Sequence, residues 1–217
     1  ISFKAIPDAK LDAKVDPVFD YRIYADVTDI NGETRSNSEM ISAGYKSLLL
    51  NTSIPSKLAT DSLNKLFIRT ENMSGTFQKA MLQVKITRLN PEQRLLRPRY
   101  WEKPDQFILS KEQYIQQFPN DIYNNEDDPK TWTKAATITE QSGTSDSTGI
   151  FTLNSFKYQP GYYTIEISTK DKDGNDVKDV QYIELFDVKK PEPVYPQYLY
   201  SIAPRPVEPG EKATTQI

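Results

Sequence analysis

"YRIYADVTDINGET", residues 21–34, alternates apolar and polar side chains and then runs into a turn built on Asp29 and Gly32. The phrase returns as "YTIEISTKDKDGND", residues 163–176. At a constant offset of 142 (174 minus 32), Tyr21 meets Tyr163, Ile23 meets Ile165, Asp29 meets Asp171, Gly32 meets Gly174 and Ile41 meets Ile183. In both copies a period-two run enters D-x-x-G and a second run leaves it. That predicts a β-hairpin, because Gly supplies the positive φ of a tight turn and Asp or Asn bonds back onto its own backbone. Asp29, Gly32, Asp171 and Gly174 are therefore read as structural turn residues. The competing reading is a calcium loop on Asp171, Asp173 and Asp176, since oxygen ligands near alternate positions suit Ca²⁺. Against it, the ordered D-x-D-x-D-G spacing and the distal Glu are missing, and Asn31 and Thr34 replace Asp173 and Asp176 in the first copy.

Strand patterns extend outward from the repeat. Leu82, Val84 and Ile86 alternate with Gln83, Lys85 and Thr87, and "KSLLLNTS", "KLFIRTE", "WTKAATIT" and "GIFTLNSF" are shorter candidates. A repeat of 142 residues is too long for a solenoid unit and suits a sandwich domain carrying an insertion. The expected fold class is all-β: tandem immunoglobulin-like β-sandwiches with one short helix in an insertion of the central domain. Residues 1–45 read as the C-terminal part of a preceding sandwich. Residues 46–188 read as a complete seven-stranded sandwich with its insertion at 94–132. Residues 189–217 read as a Pro-rich linker, "KKPEPVYPQ", and the first strand of a following domain.

Composition excludes several functions. The 217 residues carry 27 Lys plus Arg against 30 Asp plus Glu, a net charge of −3, which gives no positive field for a nucleic-acid backbone. There is no Cys, so thiolate nucleophiles, disulfides and Cys-based metal sites are ruled out. There is no His, which removes the commonest general base and transition-metal ligand together. An enzyme would be left with carboxylate pairs or a Lys or Tyr base. With 30 acidic residues some close pair is inevitable, and none has a context that singles it out. The expectation is a non-enzyme without catalytic residues, cofactor or metal. No run approaches the ~18 apolar residues of a membrane span, and the opening "ISFKAIPD" shows no signal-peptide pattern.

One stretch departs from the β pattern. In "LSKEQYIQQFPND", Ser110 and Gln113 form a capping box, Tyr114, Ile115 and Phe118 share a helical face, and Pro119 stops the run. The surrounding 94–132 segment is rich in Arg and aromatics. Arg97, Arg99, Tyr100, Trp101 and Tyr123 form a candidate interaction patch, because guanidinium and aromatic planes together can hold an anion or stack on a sugar or base. The structural alternative has the aromatics packing the insertion down, with the arginines paired to Glu126, Asp127 and Asp128. A calcium site in "NNEDDP" is a further, weaker alternative. Phe118 is expected to be buried and Trp101, between Pro98 and Pro104, partly exposed.

Five phrases in order carry a resemblance: "YADVTDINGETRS" (24–36), "GYKSLLLNT" (44–52), "RYWEKPDQFILSKEQYIQQFPNDIYNNEDD" (99–128), "PGYYTIEISTKDKDGNDV" (160–177) and "PVEPGEKATTQI" (206–217). Together they resemble the macroglobulin-like domains of bacterial alpha-2-macroglobulin family proteins, especially the Bacteroidetes type. The resemblance implies seven-stranded scaffold sandwiches within a large protease inhibitor of the periplasm or cell envelope. Its partners would be neighbouring domains of the same chain and, through the full-length protein, proteases. The family's thioester requires Cys-Gly-Glu-Gln, which a chain without Cys does not hold. The alternative function is an immunoglobulin-like cell-surface adhesion module that recognises glycan or protein through the aromatic insertion.

Overall fold

The computed structural model describes residues 8, 10–11, 17–97, 99, 101–190, 193–195 and 208–212. Ten strands and one α-helix follow in chain order: β1 Val18–Thr28, β2 Thr34–Gly44, β3 Leu49–Ser53, β4 Lys57–Ala59, β5 Lys65–Glu71, β6 Met81–Asn90, α1 Lys111–Gln117, β7 Thr133–Thr144, β8 Ile150–Thr152, β9 Gly161–Lys170 and β10 Asp176–Phe186. The chain is predominantly β with one short helical insertion. The opening strand expected after Gly210 lies outside the described residues.

Three sheets form. One has the order β4-β10-β9-β6-β7, a second β3-β5-β8, and the third is the β1-β2 hairpin alone. All pairings are antiparallel except β10 with β4, where Leu185 lies beside Leu58. The five- and three-stranded sheets contribute to one buried cluster. Leu66 and Ile68 of β5 and Phe151 of β8 meet Leu82, Val84 and Ile86 of β6, Tyr163, Ile165 and Ile167 of β9, and Ile183 and Leu185 of β10. The period-two reading of β6 and β9 holds because only alternate side chains face this cluster. β4 has no such signature in its three residues, and its place is set by pairing with a distant strand.

A polar node ties β5 to the residues flanking β6 and β7. Thr70 of β5, fully buried, donates its hydroxyl to Gln78 O at 2.6 Å and shares a 2.7 Å bond with Ser145 Oγ, which also accepts the Ala80 N–H at 2.9 Å. Every polar atom of this node has a partner, as burial requires.

The repeat is exact in register. Tyr21 pairs with Ile41 as Tyr163 pairs with Ile183, and Val27 pairs with Arg35 as Thr169 pairs with Val177. One cross-strand pair exchanges its sizes: Phe19 opposes Ala43 where Gly161 opposes Leu185. The environments differ. Tyr163, Ile165, Ile167 and Ile183 are at most 1% exposed, whereas Val27 is 69% and Ile41 36% exposed, and Phe19, Tyr21 and Ile23 reach only partial burial. Edge-to-face contact between Phe19 and Tyr45, at 6.2 Å, packs the foot of the hairpin.

This contrast sets a measurable expectation. Ile165→Ala should cost about 2–5 kcal/mol, the range for deleting a buried aliphatic side chain. Ile23→Ala, at the matching position, should cost under about 1 kcal/mol. Urea unfolding of both variants checks this, and equal losses would mean the two hairpins are packed alike.

Candidate functional site

The acidic turns are the first place a ligand could sit. Asp171 Oδ1 accepts the N–H groups of Asp173 at 2.9 Å and Asn175 at 2.8 Å, and Gly174 N–H returns to Asp171 O at 3.1 Å. Asp29 makes the same bonds to Asn31, Glu33 and Gly32, at 2.9, 2.9 and 3.1 Å. Gly32 and Gly174 both adopt φ of 86°, the left-handed position that a three-residue hairpin loop assigns to glycine. A further copy, absent from the sequence reading, is "NMSG". Asn72 Oδ1 accepts from Ser74 and Thr76 at 3.0 and 2.9 Å, and Gly75 stands at φ 74°. The signal was present in Asn followed three residues later by Gly.

Asp171 has two bonds that Asp29 lacks. Its Oδ2 accepts the Ser47 N–H at 3.0 Å, from the segment leading into β3, and the Asn175 side-chain amide at 3.0 Å. Four donors therefore occupy one carboxylate, which fills its acceptor sites. The Ser47 N–H holds the Asp171 carboxyl well below the usual carboxylate range; burial opposes this, and the donors of Asn175 and Asp173 add to it. The turn is a fastening built from a carboxylate. Among the described residues no group of three or more Asp or Glu gathers to hold a metal ion.

The insertion is fastened differently. Residues 119–124 are irregular, so their carbonyls have no sheet partners. Arginines supply the donors. Arg94 Nη1 donates to Pro119 O at 2.8 Å, and Arg97 grips Asp121 through Nε to Oδ1 at 2.5 Å and Nη2 to Oδ2 at 3.0 Å. Arg99 Nη2 reaches the carbonyls of Ile122, Tyr123 and Asn124 at 2.7, 3.2 and 3.4 Å. Guanidinium suits this task because its planar fork offers several donors at once. The acids found opposite the arginines are Asp121 and Glu92; Glu126 pairs with Lys111 instead.

The capping box forms as the sequence predicts, with Gln113 N–H on Ser110 Oγ at 3.3 Å and Ser110 N–H on Gln113 Oε1 at 3.1 Å. The burial of Phe118 does not follow. Phe118 is 43% exposed, at the end of a ladder of rings in which Phe107 meets Tyr123 at 4.4 Å, Tyr123 meets Tyr114 at 5.4 Å and Tyr114 meets Phe118 at 5.1 Å. The helix packs within the insertion and buries no residue of its own completely. Of the candidate patch, Tyr123 lies in this ladder with its hydroxyl on Leu109 O at 2.8 Å, and Trp101 stands 57% exposed. Tyr100 lies outside the described residues.

A cleft of about 410 Å³ opens between the end of β6, the start of β7 and the insertion, walled by Asn90, Gln93, Asn124, Glu126 and Trp132. Trp132 donates its indole N–H to Glu126 O at 2.7 Å, and its ring meets Tyr162 and Tyr195 edge-on at 4.9 and 5.3 Å. Burial works to raise the Glu126 pKa; the N–H groups of Asn124 and Glu126 itself, with Lys111, outweigh it, and the net shift is downward. Burial, then the Glu184 carboxylate, pushes the Tyr162 phenol well above its ordinary value. The shifts found among the described residues move away from neutrality: Asp29, Glu112, Glu126, Asp146, Asp171 and Asp176 downward, and Tyr158, Tyr162, Tyr163 and Tyr195 upward.

No protein-family model matches the chain, and no curated protein matches it.

Two expectations follow from these fastenings. Arg99→Ala should release carbonyls of 122–124 and weaken hydrogen-exchange protection of the insertion by about 1–3 kcal/mol, whereas Trp101→Ala should stay within about 0.5 kcal/mol of the parent. The Asp171 contribution has a definite sign with pH. A depressed carboxyl stabilises the fold fully above its unfolded pKa of about 3.9, and that contribution is lost as pH falls from there through the folded pKa. Asp171→Asn should therefore flatten the acid limb of a stability-versus-pH curve below about pH 4, measured by thermal melts at stepped pH.

Proposed function

We propose that this chain is a non-catalytic scaffold segment of a large alpha-2-macroglobulin-like protease inhibitor, built from tandem β-sandwiches. Residues 46–188 form one macroglobulin-like unit, the β1-β2 hairpin belongs to the preceding unit and 189–217 lead to the next. The observation that carries this reading is the face of β1-β2, which has the register of the β9-β10 hairpin but, among the described residues, only part of its burial. A two-stranded sheet of this kind is at best marginal alone in water and gains stability against further strands. The shared core of the five- and three-stranded sheets supports the two-layer architecture. The neighbours are other domains of the same polypeptide, and the setting is the periplasm or cell envelope. No helix among the described residues is long and apolar enough to cross a membrane.

A specific observation favours a second reading. Trp101 at 57%, Phe107 at 40% and Ile108 at 97% exposure give the insertion an apolar outer surface of the sort that marks a contact site. An adhesion module would use that surface on glycan or protein. The same surface serves the first reading as an interdomain contact.

The test compares the 217-residue chain with the longer natural polypeptide carrying it. Proteases of several specificities are mixed with each at equimolar ratio, and cleavage of a protein substrate is followed. The longer polypeptide should suppress cleavage and the chain alone should leave it unchanged. Inhibition by the chain alone, or turnover of peptides or glycosides by it, would refute the scaffold role.

A further inference from the structure

The internal repeat allows the missing neighbour of β1 to be specified. In the buried copy, the edge of β9 away from β10 is occupied by β6, with Val84 beside Ile167 and Ile86 beside Ile165. Subtracting 142 places Ala25 and Ile23 at those positions of β1. Among the described residues β1 pairs with β2 alone, so this edge offers an open row of N–H and C=O groups. β6 itself does not fill it, because β9 and β7 take both of its edges.

The face above the hairpin is specified as well. β10 turns two polar residues toward the three-stranded sheet, and both engage Thr52 of β3. Thr52 Oγ1 donates to Asp179 Oδ2, and Gln181 Nε2 donates to Thr52 Oγ1 at 3.1 Å and to Asp179 Oδ2 at 2.8 Å. The equivalents on β2 are Asn37 and Glu39, the amide and the acid exchanged, and both are exposed. An acid-amide pair at these two positions in each copy matches a fold in which a hydroxyl of a covering sheet lies opposite. The pattern on β1-β2 therefore fits the seat that β9-β10 occupies.

We propose that the β1 edge accepts a β-strand of the β6 kind, supplied by the neighbouring domain of the longer polypeptide. The strand is extended, carries aliphatic side chains at alternate positions, and runs antiparallel to β1 with aliphatic residues opposite Ala25 and Ile23. Main-chain hydrogen bonds give the affinity and the alternating side chains fix the register, the mode known as strand addition. The inference rests on the reading of residues 1–45 as part of a neighbouring unit.

The absence of Cys makes a clean test possible. The probe is a peptide of residues 81–90, "MLQVKITRLN", carrying Val84→Cys or Ile86→Cys, mixed with the full chain carrying Ala25→Cys or Ile23→Cys under mild oxidation. Ala25 is exposed, so its variant retains the fold. The matched pairs, Ala25→Cys with Val84→Cys and Ile23→Cys with Ile86→Cys, should form disulfides about tenfold faster than the crossed pairs. Ala136→Cys, on the open edge of β7, should capture the peptide no faster than the crossed pairs do. Equal rates for matched and crossed pairs would overturn the proposal. So would equally fast capture at Ala136→Cys, or disulfide-linked dimers of the Ala25→Cys chain outrunning peptide capture, which would make a second copy the occupant. Loss of strand capture with protease inhibition by the longer polypeptide intact removes this inference alone. Capture without inhibition leaves the edge chemistry standing and removes the function on which it was placed.

Discussion

The burial of one face of the β9-β10 hairpin is the constraint on which the rest depends. Tyr163, Ile165, Ile167, Ile183 and Leu185 are withdrawn from water almost completely, and each large aliphatic side chain so buried contributes on the order of 1.5–3 kcal/mol. β6 joins along one edge, the short parallel β4 along the other, and β5 and β8 close over the face. The Asp171 carboxylate then ties the turn of this hairpin to Ser47, at the entry to β3. The centre of the molecule is thus held by apolar area, and its margins by polar bonds that a few residues supply.

The insertion follows the opposite logic. It has no strand of the sheets and little completely buried apolar surface, so its carbonyls and rings are satisfied locally by Arg94, Arg97 and Arg99 and by the row of rings from Phe107 to Phe118. The arginine and aromatic content that marks a recognition surface in a sequence is here engaged to a large degree in holding the segment together. Trp101 and Ile108 are the parts that face outward.

What was legible in the sequence was local. The hairpins could be read because a period-two run, an Asx residue and a Gly lie within a few positions of one another, and the helix because Ser110 and Gln113 cap it by themselves. β4 was not legible, since its three residues take their position from β10, more than a hundred residues away. The surroundings of Phe118 were not legible either: periodicity shows which residues share a face, and what that face meets depends on how the insertion folds back. The partners of Arg99 were hidden for a further reason. They are backbone carbonyls, which every residue has, so no side-chain pattern announces them.

The exchanged pair at the foot of the two hairpins bears on how such repeats can be traced. Phe19 faces Ala43 where Gly161 faces Leu185, so each pair places one large and one small residue across the strands on opposite sides. Residue-by-residue alignment scores this as two mismatches, although each pair still sets one large residue against one small one. Two hairpins of one register can therefore be matched by the facing pairs they hold where single positions disagree, and a repeat that is faint in letters stays traceable in its pairing.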